Sequence, residues 1–330
     1  MNGVEFYSNK IELKINSLIK ENEFDMPYLR GFYYFIKDSL TESSAHKYIG
    51  HVIRFINTLD KEINSIDIDD YLYYLGEVNK GKSSSYQIAV YSALKKFSEY
   101  LYISKKNPIN GMEHVKRPKF KESEQTIRKR EIGYLDRNEI KTYINSIKLG
   151  IGSNKAKARQ EKWKERDLAI ILIFLTTGIR CSALYKLDIS NIDFDKHILM
   201  VTDKGNKVVE YLLDTEVEKI IKEWLIKRNE LKIDKNDQAL FVSNMKKRMS
   251  VEAISLIVKK YSINIKGKHI TPHKLRATYG TQLYNETHDI RFVQSCMNHN
   301  SPKTTELYIR GNQDTDKKRA AQIVSKFLED

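Results

Sequence analysis

Residues 271–310 read TPHKLRATYGTQLYNETHDIRFVQSCMNHNSPKTTELYIR, and they contain a spaced series of histidine, arginine and tyrosine side chains. The first part, HKLRATYGTQLY, is typical of a helix. Residues three apart on a helix lie side by side, so His273 and Arg276 are expected to share one face. Such a pair can bind the oxygens of one phosphate.

The end of the same stretch predicts a turn followed by a second helix. Ser301 is suited to an N-cap, and Pro302 to the first position of a helix that carries Tyr308. His299 lies just before this turn. The tyrosine and the second histidine are therefore expected near the same pocket as the first pair.

The order and spacing of these residues resemble a known signature. An H-x-L-R motif, then a second histidine, then a tyrosine nine residues later is similar to the C-terminal signature of the tyrosine recombinase (phage integrase) family. Two further motifs match, TTGIR with its arginine and the hairpin-like TDKGNK with its lysine. The catalytic residues that this resemblance implies are Arg180, Lys204, His273, Arg276, His299 and Tyr308.

The chemistry of these side chains suits the family's reaction on DNA. Tyr308 attacks a phosphodiester while the two arginines hold its non-bridging oxygens. His273 acts as general base, His299 hydrogen-bonds the phosphate, and Lys204 protonates the departing 5′ oxygen, with Lys207 as the competing hairpin lysine. The resulting 3′-phosphotyrosyl link stores the bond energy, so neither a metal nor another cofactor is expected.

Two positions depart from the family pattern. Ala183 stands three residues after the first arginine, where the family commonly has Glu or Asp, so the usual carboxylate support is missing or comes from elsewhere. Asn298 replaces the glycine that is common before the second histidine. Neither change removes a catalytic group, and an active enzyme is expected.

Composition favours a polyanionic partner. The 330 residues include 57 Lys+Arg against 43 Asp+Glu, a net charge of +14, and DNA is the first candidate because binding to phosphates releases condensed counterions. A chain of this length is expected to form two domains. The two cysteines exclude a disulfide framework. No secretion signal or membrane span is evident, so a cytoplasmic, nucleoid-associated protein is expected.

The chain is expected to contain two domains joined by a linker. Residues 1–110 show helical apolar spacing, for example over 45–59 and from about Ser85, and the resemblance makes them a helical core-binding domain that contacts DNA. Residues 111–133 form a basic linker that either is a solvated tether or lies along the DNA backbone. The candidate DNA contacts in this linker are Lys116, Arg117, Lys119, Arg128, Lys129 and Arg130.

Residues 134–330 are expected to form the catalytic domain. A capping box at Asp136 starts it, a buried helix over 166–175 ends at Gly178, and strands over 197–202 and 208–213 form a hairpin. Further helices are predicted over 216–231, 251–263 and 314–327. The predicted fold class is mainly α with a small β-sheet or hairpin in the C-terminal domain, a two-domain DNA clamp resembling tyrosine recombinases.

The predicted function is site-specific DNA recombination by a homo-tetramer that holds two specific double-stranded sites, assembled through the C-terminal helix. The lack of an extra N-terminal arm-binding domain favours an Xer-like or small mobile-element enzyme. A type IB topoisomerase shares the chemistry and is the enzymatic alternative. A non-catalytic DNA-binding regulator on the same fold is the alternative from another class, and Ala183 is the only residue that favours it.

Overall fold

The computed structural model describes residues 12–18, 20–21, 25–119, 133–203, 207–231, 233–234 and 237–298. The chain divides into two compact units, Met1–Ser123 and Glu124–Asp330. Within the described residues the fold is mainly helical, with one three-stranded antiparallel sheet in the second unit, and this confirms the predicted fold class. No helix of these residues is long and apolar enough to cross a membrane.

The described part of the N-terminal unit contains a helical stretch over residues 12–18, followed by the helices α1 (Met26–Ile36), α2 (Glu42–Ile56), α3 (Ile68–Tyr73) and α4 (Ser84–Ile103). Helix α4 begins one residue before its predicted start, and α2 begins three residues before the predicted stretch 45–59. The hydroxyl of Thr41 caps α2 and that of Ser83 caps α4, each by accepting a backbone N–H three residues later. These caps satisfy donors that would otherwise lack a partner at the helix start.

An aromatic core holds the N-terminal unit together. Phe32 meets Phe97 edge-on with ring centroids 5.2 Å apart, and Phe55 stacks on Tyr71 at 4.9 Å. The segment after α4 is fastened to the same core, because buried Asn107 donates to the carbonyl of Ile66 at 2.8 Å.

The N-terminal core extends into the first residues of the predicted linker. Met112 and Val115 are buried in it, and the hydroxyl of Tyr91 donates to the Val115 carbonyl at 2.7 Å. The next three candidate DNA contacts, Lys116, Arg117 and Lys119, are exposed. The predicted contacts Arg128, Lys129 and Arg130 lie outside the described residues, and the domain boundaries stay a prediction.

The described part of the C-terminal unit contains eight helices and three strands. The helices are α5 (Arg137–Leu149), α6 (Asn154–Glu161), α7 (Lys164–Thr177), α8 (Cys181–Lys186), α9 (Thr215–Glu230), α10 (Val251–Tyr261), α11 (Pro272–Thr287) and α12 (Ile290–Cys296). The strands are β1 (Ile192–Asp193), β2 (Ile198–Thr202) and β3 (Val208–Leu212). The predicted capping box of α5 is present, since Asp136 and Glu139 bond reciprocally to each other's backbone N–H.

Helix α7 is the centre of this unit. Helices α5, α9, α10 and α11 all pack against it, and it is buried on most sides, as its uninterrupted apolar sequence predicts. The predicted hairpin is also present. Strands β2 and β3 pair with Leu199 opposite Tyr211 and Thr202 opposite Val208, while the short edge strand β1 was not predicted.

A buried ionic network fixes the start of α7. Asp167 is fully buried and accepts hydrogen bonds from Arg166 Nε at 3.0 Å, Lys260 Nζ at 2.9 Å and the Tyr261 hydroxyl at 2.8 Å. Arg166, itself 4% exposed, also donates to the Val242 carbonyl at 3.0 Å. One carboxylate therefore holds α10 against α7 and neutralises a buried guanidinium.

Asp167→Ala is expected to lower the free energy of unfolding of the C-terminal unit by about 3–5 kcal/mol, because it leaves the Arg166 charge buried without its partner. Both tryptophans, Trp163 and Trp224, belong to this unit, so urea unfolding followed by tryptophan fluorescence measures it selectively. Glu161, the exposed ion-pair partner of Lys164, gives a control. Glu161→Ala should lower the free energy of unfolding by about 1 kcal/mol or less. Equal losses in the two variants would contradict the role assigned to the buried carboxylate.

Candidate active site

A tight turn at the end of α7 carries Arg180. Gly178 ends the helix in the left-handed region with φ of 61°, and a Cβ at this position would lie 2.3 Å from the Tyr279 ring. Only glycine satisfies both the backbone angle and the close approach. Ile179 is buried beside it, and Arg180 then forms the N-cap position of α8. The predicted rigid mount for the first arginine is therefore present.

The guanidinium of Arg180 forms an ion pair with Asp203, the residue directly after β2. The two side chains differ in exposure, 35% for the arginine and 12% for the aspartate. Ala183, where the family commonly has a carboxylate, is a buried part of the apolar core. The carboxylate that contacts Arg180 thus comes from the sheet and not from α8.

Helix α11 carries the H-x-L-R motif as predicted. Thr271 caps it with a hydroxyl that accepts the Lys274 N–H, and Pro272 occupies its first turn. His273 is exposed, whereas Arg276 is 4% exposed, so the two side chains have different solvent access although they lie on one helix.

Arg276 joins three parts of the chain. Its guanidinium donates to the backbone carbonyl of Gly178, in the turn before Arg180, and to that of Met297, just after α12. These two bonds fix the plane of the guanidinium and hold the ends of α7 and α12 close to α11. The segments that lead to the first arginine and to the second histidine therefore meet at the second arginine.

Tyr211 on β3 completes this centre. Its hydroxyl accepts a hydrogen bond from the Asn298 side-chain amide at 3.1 Å. Burial raises the pKa of Tyr211, an effect opposed by the Asn298 bond and by the positive charges of Arg276 and Arg180. The phenol therefore stays protonated at neutral pH and ties β3 to the segment before His299.

Asn298 adopts a left-handed conformation with φ of 51°. Asparagine is among the few residues besides glycine that enter this region readily. This explains how Asn298 replaces the glycine that is common in the family at this place.

Tyr279 and Cys296 line the same region but are not reactive groups. Burial raises the pKa of the Tyr279 hydroxyl and that of the Cys296 thiol, and the two side chains hydrogen-bond to each other. A thiol that stays protonated is a poor nucleophile. Both residues act as packing partners of the Gly178 turn and of α12.

Three of the six predicted catalytic residues are described, and the structure brings the two arginines, Arg180 and Arg276, to one turn. Lys204, His299 and Tyr308 lie outside the described residues, as does the predicted helix 314–327. Asp203, directly before Lys204, contacts Arg180, and Asn298, directly before His299, contacts Tyr211. Sequence reasoning did not identify three residues of this centre, namely Asp203, Tyr211 and Tyr279. The one available signal was the position of Asp203 beside Lys204 in TDKGNK.

Within the described residues, no group of three or more His, Cys, Asp or Glu side chains is arranged to hold a metal ion. The described polar groups around Arg180 and Arg276 instead include the side-chain amide of Asn298, the phenol of Tyr211 and the carboxylate of Asp203. Fixed cationic forks of this kind suit an oxyanion with several oxygens.

Comparison with known proteins gives one consistent family. The model of the phage integrase family matches residues 133–314. Tyrosine recombinase XerC of Caldanaerobacter subterraneus subsp. tengcongensis is 32% identical over 255 residues, which cover 74% of this chain and 65% of that protein. Tyrosine recombinase XerS of Streptococcus sanguinis is 27% identical over 328 residues, which cover 92% of this chain and 90% of that protein. The chain thus spans just under two thirds of the XerC that it matches.

A solved structure shares the fold. The XerH site-specific recombinase, in a post-cleavage complex with its palindromic difH substrate, superposes with a TM-score of 0.65 and 20% identity. The match covers 85% of this chain and 79% of that one.

Proposed function

The chain belongs to the phage integrase family, and from this premise we propose that it is a site-specific recombinase that cleaves and rejoins DNA through a 3′-phosphotyrosyl intermediate. The observation that carries the proposal is the junction at Arg276, whose guanidinium links the Arg180 turn to the segment before His299. The positive charges of both arginines act on the Tyr211 hydroxyl, where each lowers its pKa. Such a centre suits the dianionic charge that develops on phosphorus oxygens during an attack.

The proposed first step is attack by the Tyr308 hydroxyl on a DNA phosphodiester. The bond from phosphorus to the 5′ oxygen breaks as the bond to the tyrosyl oxygen forms, and the 3′ phosphate stays on the enzyme. Arg180 and Arg276 stabilise the charge on the non-bridging oxygens. The two carbonyl bonds of Arg276 hold the plane of its guanidinium.

The remaining residues move protons. His273, exposed on the first turn of α11, takes the tyrosyl proton and returns it in the reverse step. Lys204 gives a proton to the departing 5′ oxygen, and His299 hydrogen-bonds the phosphate. Attack by a 5′ hydroxyl from a second DNA site then releases Tyr308 and completes one strand exchange, so no external energy source is consumed.

The N-terminal unit has a charge distribution that suits DNA. No acidic residue occurs between Ser43 and Leu59 or between Val78 and Ser98, segments that include most of α2 and α4. Five acidic residues lie in 60–70, a segment joined to the far end of α4 by Asn107. We assign the surface of the two segments without acidic residues to DNA contact.

Arg54 lies in the first of these two segments, and a neighbouring histidine holds its side chain in place. One of its terminal nitrogens donates to Nδ1 of His51 at 3.0 Å, and its guanidinium lies over Gly50, within 3.7 Å of where a Cβ would stand. Burial, together with the charges of Arg54 and Lys47, lowers the pKa of His51 to about 4, so the ring is a neutral acceptor at pH 7. A buried neutral histidine thus orients an exposed arginine.

Arg54→Ala is expected to weaken DNA binding equally on all sequences and to reduce the slope of log affinity against log salt by about 1, because one phosphate contact is lost. Fluorescence anisotropy at several salt concentrations measures this slope. Arg30→Ala, at an exposed arginine of α1 among charges of both signs, is the matched control and should leave the slope unchanged. The assignment fails if the control lowers the slope as much as Arg54→Ala does.

The complete reaction needs several protomers. We propose a homo-tetramer that holds two specific sites of nucleoid DNA in the cytoplasm, assembled through the predicted helix 314–327. The exposed Lys116, Arg117 and Lys119, together with the predicted contacts 128–130, would follow the DNA backbone between the two units. Sedimentation of the protein bound to paired sites measures the stoichiometry, and a monomer or dimer on paired sites would contradict it.

The decisive experiment traps the covalent intermediate. On a nicked site the cleaved fragment diffuses away, so the recombinase is expected to remain attached to the DNA and to migrate as an adduct on a denaturing gel. Absence of an adduct on the authentic site would favour a regulator. Relaxation of supercoiled DNA without any defined site would instead identify a topoisomerase.

A further inference from the structure

The contact between Arg180 and Asp203 joins two separate motifs. Arg180 lies in the turn between α7 and α8, whereas Asp203 ends β2 and directly precedes Lys204 in the chain. Their ion pair brings the carboxylate of Asp203 to the guanidinium of Arg180. The position that usually bears a carboxylate, 183, is occupied by a buried alanine.

The exposures of the two side chains decide what this contact does. A carboxylate that competed with phosphate would cover the open side of the guanidinium. Asp203 is instead the more buried partner, 12% exposed against 35% for Arg180. Arg180 thus keeps about a third of its side chain accessible while it is paired, so the ion pair leaves room for a phosphate to approach.

The backbone of Asp203 contributes to the hairpin as well. The backbone N–H of Asp203 donates to the Lys207 carbonyl at 2.9 Å, next to the ladder of β2 and β3, which runs through Thr202 and Val208. Because this bond uses only main-chain atoms, removing the side chain leaves it in place.

Resting on the proposed function, we propose that Asp203 is a positioning residue that orients the Arg180 guanidinium toward the scissile phosphate. The ion pair supplies from the end of β2 the carboxylate that α8 lacks.

The test compares two substrates in single-turnover cleavage. In a methylphosphonate, a methyl group replaces one non-bridging oxygen and removes the negative charge that Arg180 would stabilise. Asp203→Ala should slow cleavage of the normal phosphodiester by about 10- to 100-fold, the range expected for a misplaced catalytic group. Its effect on the methylphosphonate should be much smaller, and its DNA affinity should match that of the wild type.

Three controls make the test decisive. Asp203→Asn keeps the shape of the side chain without its charge. Like Asp203→Ala, it should slow cleavage of the normal phosphodiester much more than cleavage of the methylphosphonate. Asp193→Ala removes a carboxylate from β1 of the same sheet and should cleave both substrates at the wild-type rate. Tryptophan fluorescence during urea unfolding confirms that each variant is folded.

Two results would overturn the assignment. Equal slowing on both substrates would mean that Asp203 only stabilises the fold, and faster cleavage by Asp203→Ala would mean that it competes with the phosphate. Failure of the wild-type protein to form an adduct on the normal phosphodiester would overturn the proposed function, and this inference with it.

Discussion

Tyr308→Phe is expected to bind its DNA site as tightly as the wild-type protein and to form no covalent adduct with it. The substitution removes one oxygen and no charge, so the electrostatic part of DNA affinity is unchanged. The attacking atom is lost, and no neighbouring group can replace it without a new geometry. A nicked site analysed on a denaturing gel measures the adduct, and anisotropy measures the affinity.

A second tyrosine gives the matched control. Tyr102 is 52% exposed at the end of α4 in the other unit, and Tyr102→Phe should form the adduct at the wild-type rate. An adduct that survives in Tyr308→Phe would move the nucleophile to another residue. Loss of DNA affinity in the same variant would mean that the hydroxyl contributes to binding and not to chemistry alone.

Lys204→Ala should cleave normal DNA roughly 10²- to 10⁴-fold more slowly, the usual effect of losing a positioned general acid. The conjugate acid of the leaving alkoxide has a pKa of about 15, near that of water, so the oxygen leaves slowly without a proton. A thiol, with a pKa of about 8.5, leaves readily as an anion. Cleavage should therefore recover on DNA in which sulfur replaces the scissile 5′ oxygen.

Variants of the two arginines test whether this recovery is specific. Arg180→Ala and Arg276→Ala should stay slow on the sulfur substrate, since a better leaving group does nothing for the charge on the non-bridging oxygens. Lys207 is the competing acid. It is exposed, and its carbonyl closes the hairpin at the base. If the sulfur substrate restores cleavage by Lys207→Ala and not by Lys204→Ala, Lys207 is the general acid. If it restores cleavage by neither variant, the general acid lies outside the hairpin.

Local features of the fold were predictable from the sequence because neighbouring residues determine them. The capping box of Asp136 and Glu139 and the left-handed Gly178 each depend on a few adjacent side chains and on backbone sterics. The edge strand β1 was missed, since two residues are too short for an alternating pattern. The partners of Asp167 were missed as well, because Lys260 and Tyr261 reach it only when α10 packs on α7.

In the candidate site, too, the local features were predictable and the contacts between distant residues were not. The motif residues were identified by type and spacing, and the turn that carries Arg180 was predicted correctly. The bond from Arg276 to Gly178 spans 98 residues, and no local pattern indicates it. Asp203 was not identified because an aspartate in a turn is ordinary, and only the folded unit shows that it contacts a guanidinium.

The excess of 57 Lys+Arg over 43 Asp+Glu also affects how fast the protein meets DNA. A net positive charge attracts a polyanion before any contact forms, so it raises the rate of encounter. Since the screening length is about 8 Å at physiological ionic strength, this attraction acts only in the last stage of approach and is strongest in dilute salt.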